Sequence, residues 1–378
     1  MKLTGITWSH SRGYTSIVAA SQRYQELHPE LEISWEKRSL QSFADQSIRE
    51  LAEKYDLLII DHPWTGFGAA AGVLLDLQEY LPAACLQEQE RNSVGQSYAS
   101  YHIDGKQVAL PIDAAAPIAV YRPDLIGTPG HPLPQTWEDV LQLAKMGAVL
   151  YSANPLYSVT DFYMFCAAET TAFFTETEVV EEQAGVVALE RLRELASYCN
   201  PVIFEIDPIQ MHEMMGAEGT QYAYCPFVFG YSNYSRRGYC KNTLKACNPV
   251  SYRGHPLRTI LGGTGLAVSS QCASRTQALD FTQFVADAAM QKTIFFDAGG
   301  QPGHRQAWLD EEVNRRSLNF FRDTLQTLDQ AIVRPRYNGY LSLQDRAGPY
   351  ISDYIKNGGN PRKTLAKLND LYHQSKGI

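Results

Sequence analysis

At 378 residues the chain is longer than one hydrophobic core usually supports, so two domains are the expectation. Its 33 Lys and Arg against 41 Asp and Glu leave a net charge of −8, which argues against a nucleic-acid partner, and no basic run offsets it. No segment approaches the ~20 apolar residues of a membrane span, which excludes insertion by a helix.

Residues 3–7 read as a strand that ends in WSHSRGY, a turn packing Trp8, His10, Arg12 and Tyr14 around Gly13. Ile17, Ala20, Tyr24 and Leu27 then recur at helical spacing, with Thr15 or Ser16 as the cap. LEISWEK (31–37) alternates like a strand, 41–54 reads as a helix, and YDLLII (55–60) as a buried strand running into Asp61, His62, Pro63 and Trp64. This βαβαβ opening predicts a parallel sheet with helices on its faces. Ligands of such sheets sit beyond the carboxyl ends of the strands. Both WSHSRGY and residues 61–64 fall at such ends, so they are the first candidate site.

Residues 103–106 form a hairpin turn, and a strand over 108–112 continues past Pro111 into a second apolar strand ending at Tyr121. Asp113 stands in this apolar stretch, where a carboxylate needs ligand hydroxyls or a nearby basic group. A Pro-rich link, 127–135, leads to Thr136 as N-cap with Glu138 and Asp139 in the first helical turn. A second α/β region follows: a strand over 148–152, helices over 159–172 and 179–198, and an aromatic strand and loop over 221–234. A strand over 258–269 returns to the first lobe, 278–296 has helical periodicity, and the tail from about 307 is helical except at RPRYNGY (334–340). AGGQPGHRQAW (298–308) groups Gln301, His304 and Arg305, which either reach a ligand or pin a hinge. GGTG (262–265) lacks the strand-to-helix setting of a phosphate loop; Gly263 is expected to let backbone approach a ligand or the hinge.

Arg12 beside a glycine at a helix start suits a carboxylate or phosphate. The ordinary alternative for His10, Arg12, Asp61 and His62 is capping and loop hydrogen bonding, and for Trp8 and Trp64 it is packing. Seven cysteines without a C-x-x-C pair read as free thiols of a reducing compartment. Cys225 with His10 or His62 would make a thiolate–imidazole pair. His10, Asp61, His62 and His304 have metal-ligand chemistry but no short motif, so no metal and no cofactor is expected.

Four stretches in order resemble the extracellular solute-binding proteins of family 1, the sugar receptors of ABC importers related to maltose-binding protein. They are YDLLIIDHPWTGFGAAAGVLLDL, DGKQVALPIDAAAPIAVYRPDLI, LPQTWEDVLQLA, and GGTGLAVSS with ALDFTQFVADAAMQ. The resemblance implies a type II periplasmic-binding-protein fold, α/β and two-lobed, with an interlobe ligand cleft and crossover hinge segments. It places lobe 1 at 1–111 and 260–305 and lobe 2 at 112–259 and 306–378, with crossings near 111–114, 255–262 and 303–308. It also matches Phe227, after Pro226, to an aromatic that stacks on sugar in the second lobe.

The expected function is a solute-binding protein closing its lobes on a polar, anionic or sugar-like ligand. The ligand set is Trp8, His10, Arg12, Tyr14, Asp61, His62, Trp64, Asp113, Phe227, Gly263, Gln301, His304 and Arg305. The alternative is a cytoplasmic enzyme or ligand sensor on the same fold, using His10, His62, Asp113 and Cys225. The implied partners are the small-molecule ligand and, if the protein is exported, an ABC importer membrane subunit. No signal peptide precedes the first strand: the expected location is cytoplasmic if Met1 is the native start, and periplasmic or extracellular if a leader was removed.

Overall fold

The computed structural model describes residues 1–128 and 131–377; part of the Pro-rich link, 129–130, lies outside the described residues. Its main strands are β1 (Lys2–Trp8), β2 (Glu32–Arg38), β3 (Leu57–Ile60), β4 (Leu110–Ala115), β5 (Pro117–Tyr121), β6 (Tyr224–Phe229), β7 (Lys245–Cys247) and β8 (Gly262–Val268). The chain divides into two units. The first is Met1–Ala115, Leu261–Asp329 and Arg336–Asn338; the second is Ala116–Ile260, Gln330–Pro335 and Gly339–Ile378.

The first unit holds a five-stranded sheet in the order β2-β1-β3-β8-β4. β1 is parallel to β2 and β3, whereas β8 runs antiparallel between β3 and β4. All four residues of β3 are buried, as a strand covered on both faces requires. Pro111 stands opposite Gly265 at the bulge between β4 and β8, a place where a strand tolerates proline. Helix Thr15–Leu27 buries Ile17, Ala20 and Tyr24 but leaves Leu27 51% exposed, so the predicted stripe is one residue too long. Neither Thr15 nor Ser16 caps it: Tyr14 stands at the N-cap and supplies no side-chain bond. The expected helix over 41–54 is two short ones, Leu40–Asp45 and Ile48–Lys54. The hairpin turn is present, with Asp104 and Gly105 at φ 49° and 77°.

The second unit has an antiparallel sheet, β6-β5-β7, with helices Pro155–Glu169, Glu182–Ser197, Tyr340–Asn357 and Pro361–Ser375. Residues 148–152 run beside β6 through the Leu150 N–H donating to the Tyr224 carbonyl (3.1 Å), without forming a full strand. Trp137, buried, starts a helix that Thr136 and Asp139 close with a reciprocal capping box.

The first two unit boundaries fall at 115/116 and 260/261, close to the expected crossings. The third does not fall at 303–308. Residues 306–329 belong to the first unit, because Trp308 is fully buried there, donates its Nε1–H to the Pro302 carbonyl (2.6 Å) and packs against Phe321 at 5.0 Å.

Candidate functional site

Twelve of the thirteen candidate ligand residues belong to the first unit. The turn after β1 is built by its own polar groups: the Thr7 hydroxyl donates to the Gly13 carbonyl (2.9 Å), and the Ser16 hydroxyl to the Arg12 carbonyl (2.7 Å). The Arg12 backbone N–H donates to His10 Nδ1 (3.0 Å), which fixes that nitrogen of the half-buried ring as an acceptor. Tyr14 is half-buried, with the Lys37 ammonium 4.8 Å from its ring centre.

The centre of the arrangement is a buried ion pair. Arg12 and Asp113 meet through two bonds, Nε–H to Oδ2 at 2.7 Å and a second from Nη2 to Oδ1, with both side chains almost wholly out of solvent. Such a bidentate pair holds both planes in one orientation. Burial pushes the Asp113 carboxyl up; Arg12 pulls it back, and the charge of Asp61 pushes it up again. Asp61 is therefore electrically part of this cluster. Its Oδ1 accepts the His62 backbone N–H (2.9 Å) and lies 3.2 Å from His62 Nδ1. The basic group that a carboxylate at 113 requires is thus Arg12, and Arg12 is not a free anion receptor: an incoming carboxylate or phosphate has to displace Asp113.

Trp8 and Trp64 are core residues more than exposed stacking plates. Trp8 is 3% exposed and packs on Phe43 at 5.1 Å; Trp64 meets Phe67 edge-on at 5.8 Å. Both indole N–H groups are buried without a partner. Gly263 adopts φ 101°, and a Cβ there would lie 2.4 Å from the Asp113 carbonyl. Its glycine serves strand pairing beside the β8 bulge. Gln301 donates to the Ala114 carbonyl (2.8 Å), His304 bonds Glu88 through Nε2 (2.8 Å), and Arg305 pairs with Asp329. These three fasten the segment before helix Arg305–Leu309 to β4 and its surroundings, which is the pinning alternative.

Phe227 belongs to the second unit and is 2% exposed. Its ring lies among Trp137 (6.3 Å, near-parallel), Tyr151 (5.5 Å) and Phe165 (6.0 Å), so both its faces serve the core more than a sugar. Cys225, two residues earlier, is fully buried; burial pushes its thiol well above the usual range, which opposes the nucleophilic role. All seven cysteines are free thiols. Among the described residues no three His, Cys, Asp or Glu side chains gather into a metal-binding group, and no helix is long and apolar enough to cross a membrane.

One buried acid escaped the sequence reading. Asp161 is 4% exposed in the second unit, on helix Pro155–Glu169. The signal was there: a single charge in the apolar run VTDFYMFC.

The sequence model of the bacterial extracellular solute-binding proteins matches residues 7–169, a span containing the 8–14 turn, residues 61–64 and Asp113. A probable ABC transporter-binding protein of Deinococcus radiodurans is 22% identical over 88% of this chain and 82% of its own. Maltose-bound MalE3 of T. maritima superposes with a TM-score of 0.86 at 17% identity, covering 99% of both chains. A ribitol complex of an ABC transporter solute-binding protein from Agrobacterium radiobacter K84 gives 0.85 at 17% identity, over 100% of this chain and 99% of that one. The fold is the type II periplasmic-binding-protein fold. Over residues 7–169 the chain carries the sequence pattern of the bacterial extracellular solute-binding proteins.

Proposed function

We propose that the protein captures a small polar solute of the sugar or polyol class by closing its two units on it, and that it hands the solute to an ABC importer's membrane subunit from outside the cytoplasm. The observation that carries this reading is the family pattern over residues 7–169, because it runs through the loops that present His10, Tyr14, Asp61 and the Arg12–Asp113 pair. Sugars and polyols are favoured by relatives of the same fold: one solved structure holds maltose and another ribitol. The site's chemistry agrees. A charge-balanced Arg–Asp pair with a half-exposed carboxylate and imidazole suits a neutral, hydroxyl-rich ligand better than an anion.

The enzyme alternative is weaker. Its nucleophile is a buried thiol held protonated, and its carboxylate at 113 is already engaged by Arg12. A thermal-shift screen over sugars, polyols, carboxylates and phosphates tests the reading. A hydroxyl-rich compound is expected to raise the midpoint, and solution scattering is expected to show compaction with it bound. A screen in which only carboxylates or phosphates stabilise the protein refutes the ligand class, and turnover of the bound compound, seen by mass spectrometry, refutes the receptor role.

A further inference from the structure

The second unit contains a polar group that its own fold leaves unserved. Asp161 sits one helical turn beyond Tyr157 on the same face of helix Pro155–Glu169. With Ser152, Pro208, Phe227 and Phe229 these two line a cavity of about 190 Å³ of empty volume, counting the part open to solvent. Only a small part of that volume is wide enough for a water-sized group, so it takes one polar head and not a whole solute. The Ser152 hydroxyl in the lining is satisfied: it donates to the Ile206 carbonyl (2.6 Å), where Asn154 Nδ2 also donates (3.2 Å). Among the described residues nothing hydrogen-bonds to the Asp161 carboxyl, although it is 4% exposed.

A buried carboxyl without a partner is among the costliest groups a core can carry. A ligand hydroxyl can also be held by Asn or Thr at less cost to the fold, whereas an ammonium gains most from a carboxylate. The walls are aromatic, which also favours a cation, as does the net charge of −8. We propose that this cavity is a subsite for a primary ammonium group, with Asp161 as its counter-ion, so that the protein prefers amino sugars or amino polyols to their hydroxyl twins. This rests on the solute-binding reading above and narrows it.

The charge balance follows. Burial pushes the Asp161 carboxyl well above the usual carboxylate range, which favours its protonated form. The titratable groups that feel its charge, Tyr151 and Cys225, are themselves pushed well up by burial, and among the described residues no charged side chain is a cause of its shift. When R–NH₃⁺ enters, the carboxyl O–H proton leaves to solvent, and carboxylate and ammonium pair through a charge-assisted hydrogen bond. One proton is released per amine bound.

Isothermal titration at pH 7, in phosphate and in Tris, with glucosamine against glucose and glucamine against sorbitol, tests this on the full chain and on Asp161→Asn. The wild type is expected to bind the amine of at least one pair about tenfold or more tighter than its twin, with enthalpies that differ between buffers by one released proton. Asp161→Asn is expected to bring the pair within about twofold, to abolish the buffer dependence and to hold or raise the thermal midpoint. Equal affinities in the wild type, a preference that survives Asp161→Asn, or no binding by either amine overturns the subsite. So does a lowered midpoint in Asp161→Asn, which would mark the carboxyl as a structural bridge to buried water. Binding of glucose or sorbitol without the amine preference sinks the subsite and leaves the receptor standing; stabilisation by carboxylates or phosphates alone in the broader screen sinks the receptor's ligand class.

Discussion

Replacing Asp113 by Asn strands the Arg12 guanidinium, which is 4% exposed, beside a neutral amide. Removing one member of a buried pair leaves an uncompensated charge, and the expected cost is about 3–5 kcal/mol. The pair is bidentate and its side chains are 5% and 1% exposed, so solvent screening gives little relief. Replacing both members, Arg12→Met with Asp113→Leu, removes the charges together; that variant is expected between no change and about 4 kcal/mol more stable than the wild type. Urea unfolding at pH 7, run on Asp113→Asn and on the cycle of Arg12→Met, Asp113→Leu and their double, measures the cost and the coupling. A cost below about 1 kcal/mol for Asp113→Asn, the range of an exposed pair, would refute the account of a sealed ion pair. The double variant separates stability from recognition: it is expected to fold and to lose affinity, because the two Arg12–Asp113 bonds that tie the 8–14 turn to β4 are gone.

Burial raises the Asp161 carboxyl above its unfolded value, so the native chain holds a proton that the unfolded chain gives up. This group's contribution to stability is therefore fully present below the unfolded pKa of about 4 and is lost as pH rises, by up to about 1.4 kcal/mol per unit, and Asp161→Asn is expected to remove that part of the slope; an unchanged slope in urea unfolding over pH 4–7 refutes it. His10→Ala and Asp61→Asn, both at half-buried positions, are each expected to weaken the best ligand of the screen about tenfold with little loss of stability. Unaltered titration isotherms would remove them from the site. Thr136→Ala opens a reciprocal capping box and is expected to cost about 1 kcal/mol in urea unfolding. In a thiol-labelling experiment Cys166, Cys225 and Cys272, all buried and pushed up, stay unlabelled in the native protein and label in urea; native labelling of Cys225 contradicts its burial.

The strands and helices that set the fold were legible because their patterns are local. Four consecutive buried aliphatics in β3, the capping box at Thr136 and the turn at Asp104 and Gly105 each need only a few neighbouring residues to be read. For the candidate site residues, the sequence showed where they lie in the fold but not which groups they pair with. That residues 8–14 and 61–64 end parallel strands followed from the βαβαβ order, but the pairing of Arg12 with Asp113 spans 101 positions and depends on β4 reaching the sheet beside β8. His304 and Arg305 carried ligand-type chemistry in sequence, yet Glu88 and Asp329 answer them in space. Phe227 matched a stacking aromatic by position; the large rings of Trp137, Tyr151 and Phe165, each distant in sequence, enclose it.

The position of β8 between β3 and β4 has a consequence for synthesis. During translation β1 to β4 emerge together, but β3 and β4 have no shared ladder until β8 arrives, and Ala116–Ile260 must be made first. The first unit is completed later still, by Arg336–Asn338, where the carbonyl of Arg336 lies so close to Gly66 that a Cβ there would stand 1.5 Å away. The nascent chain therefore carries unpaired strand edges through most of its elongation, and slow closure keeps it pliable.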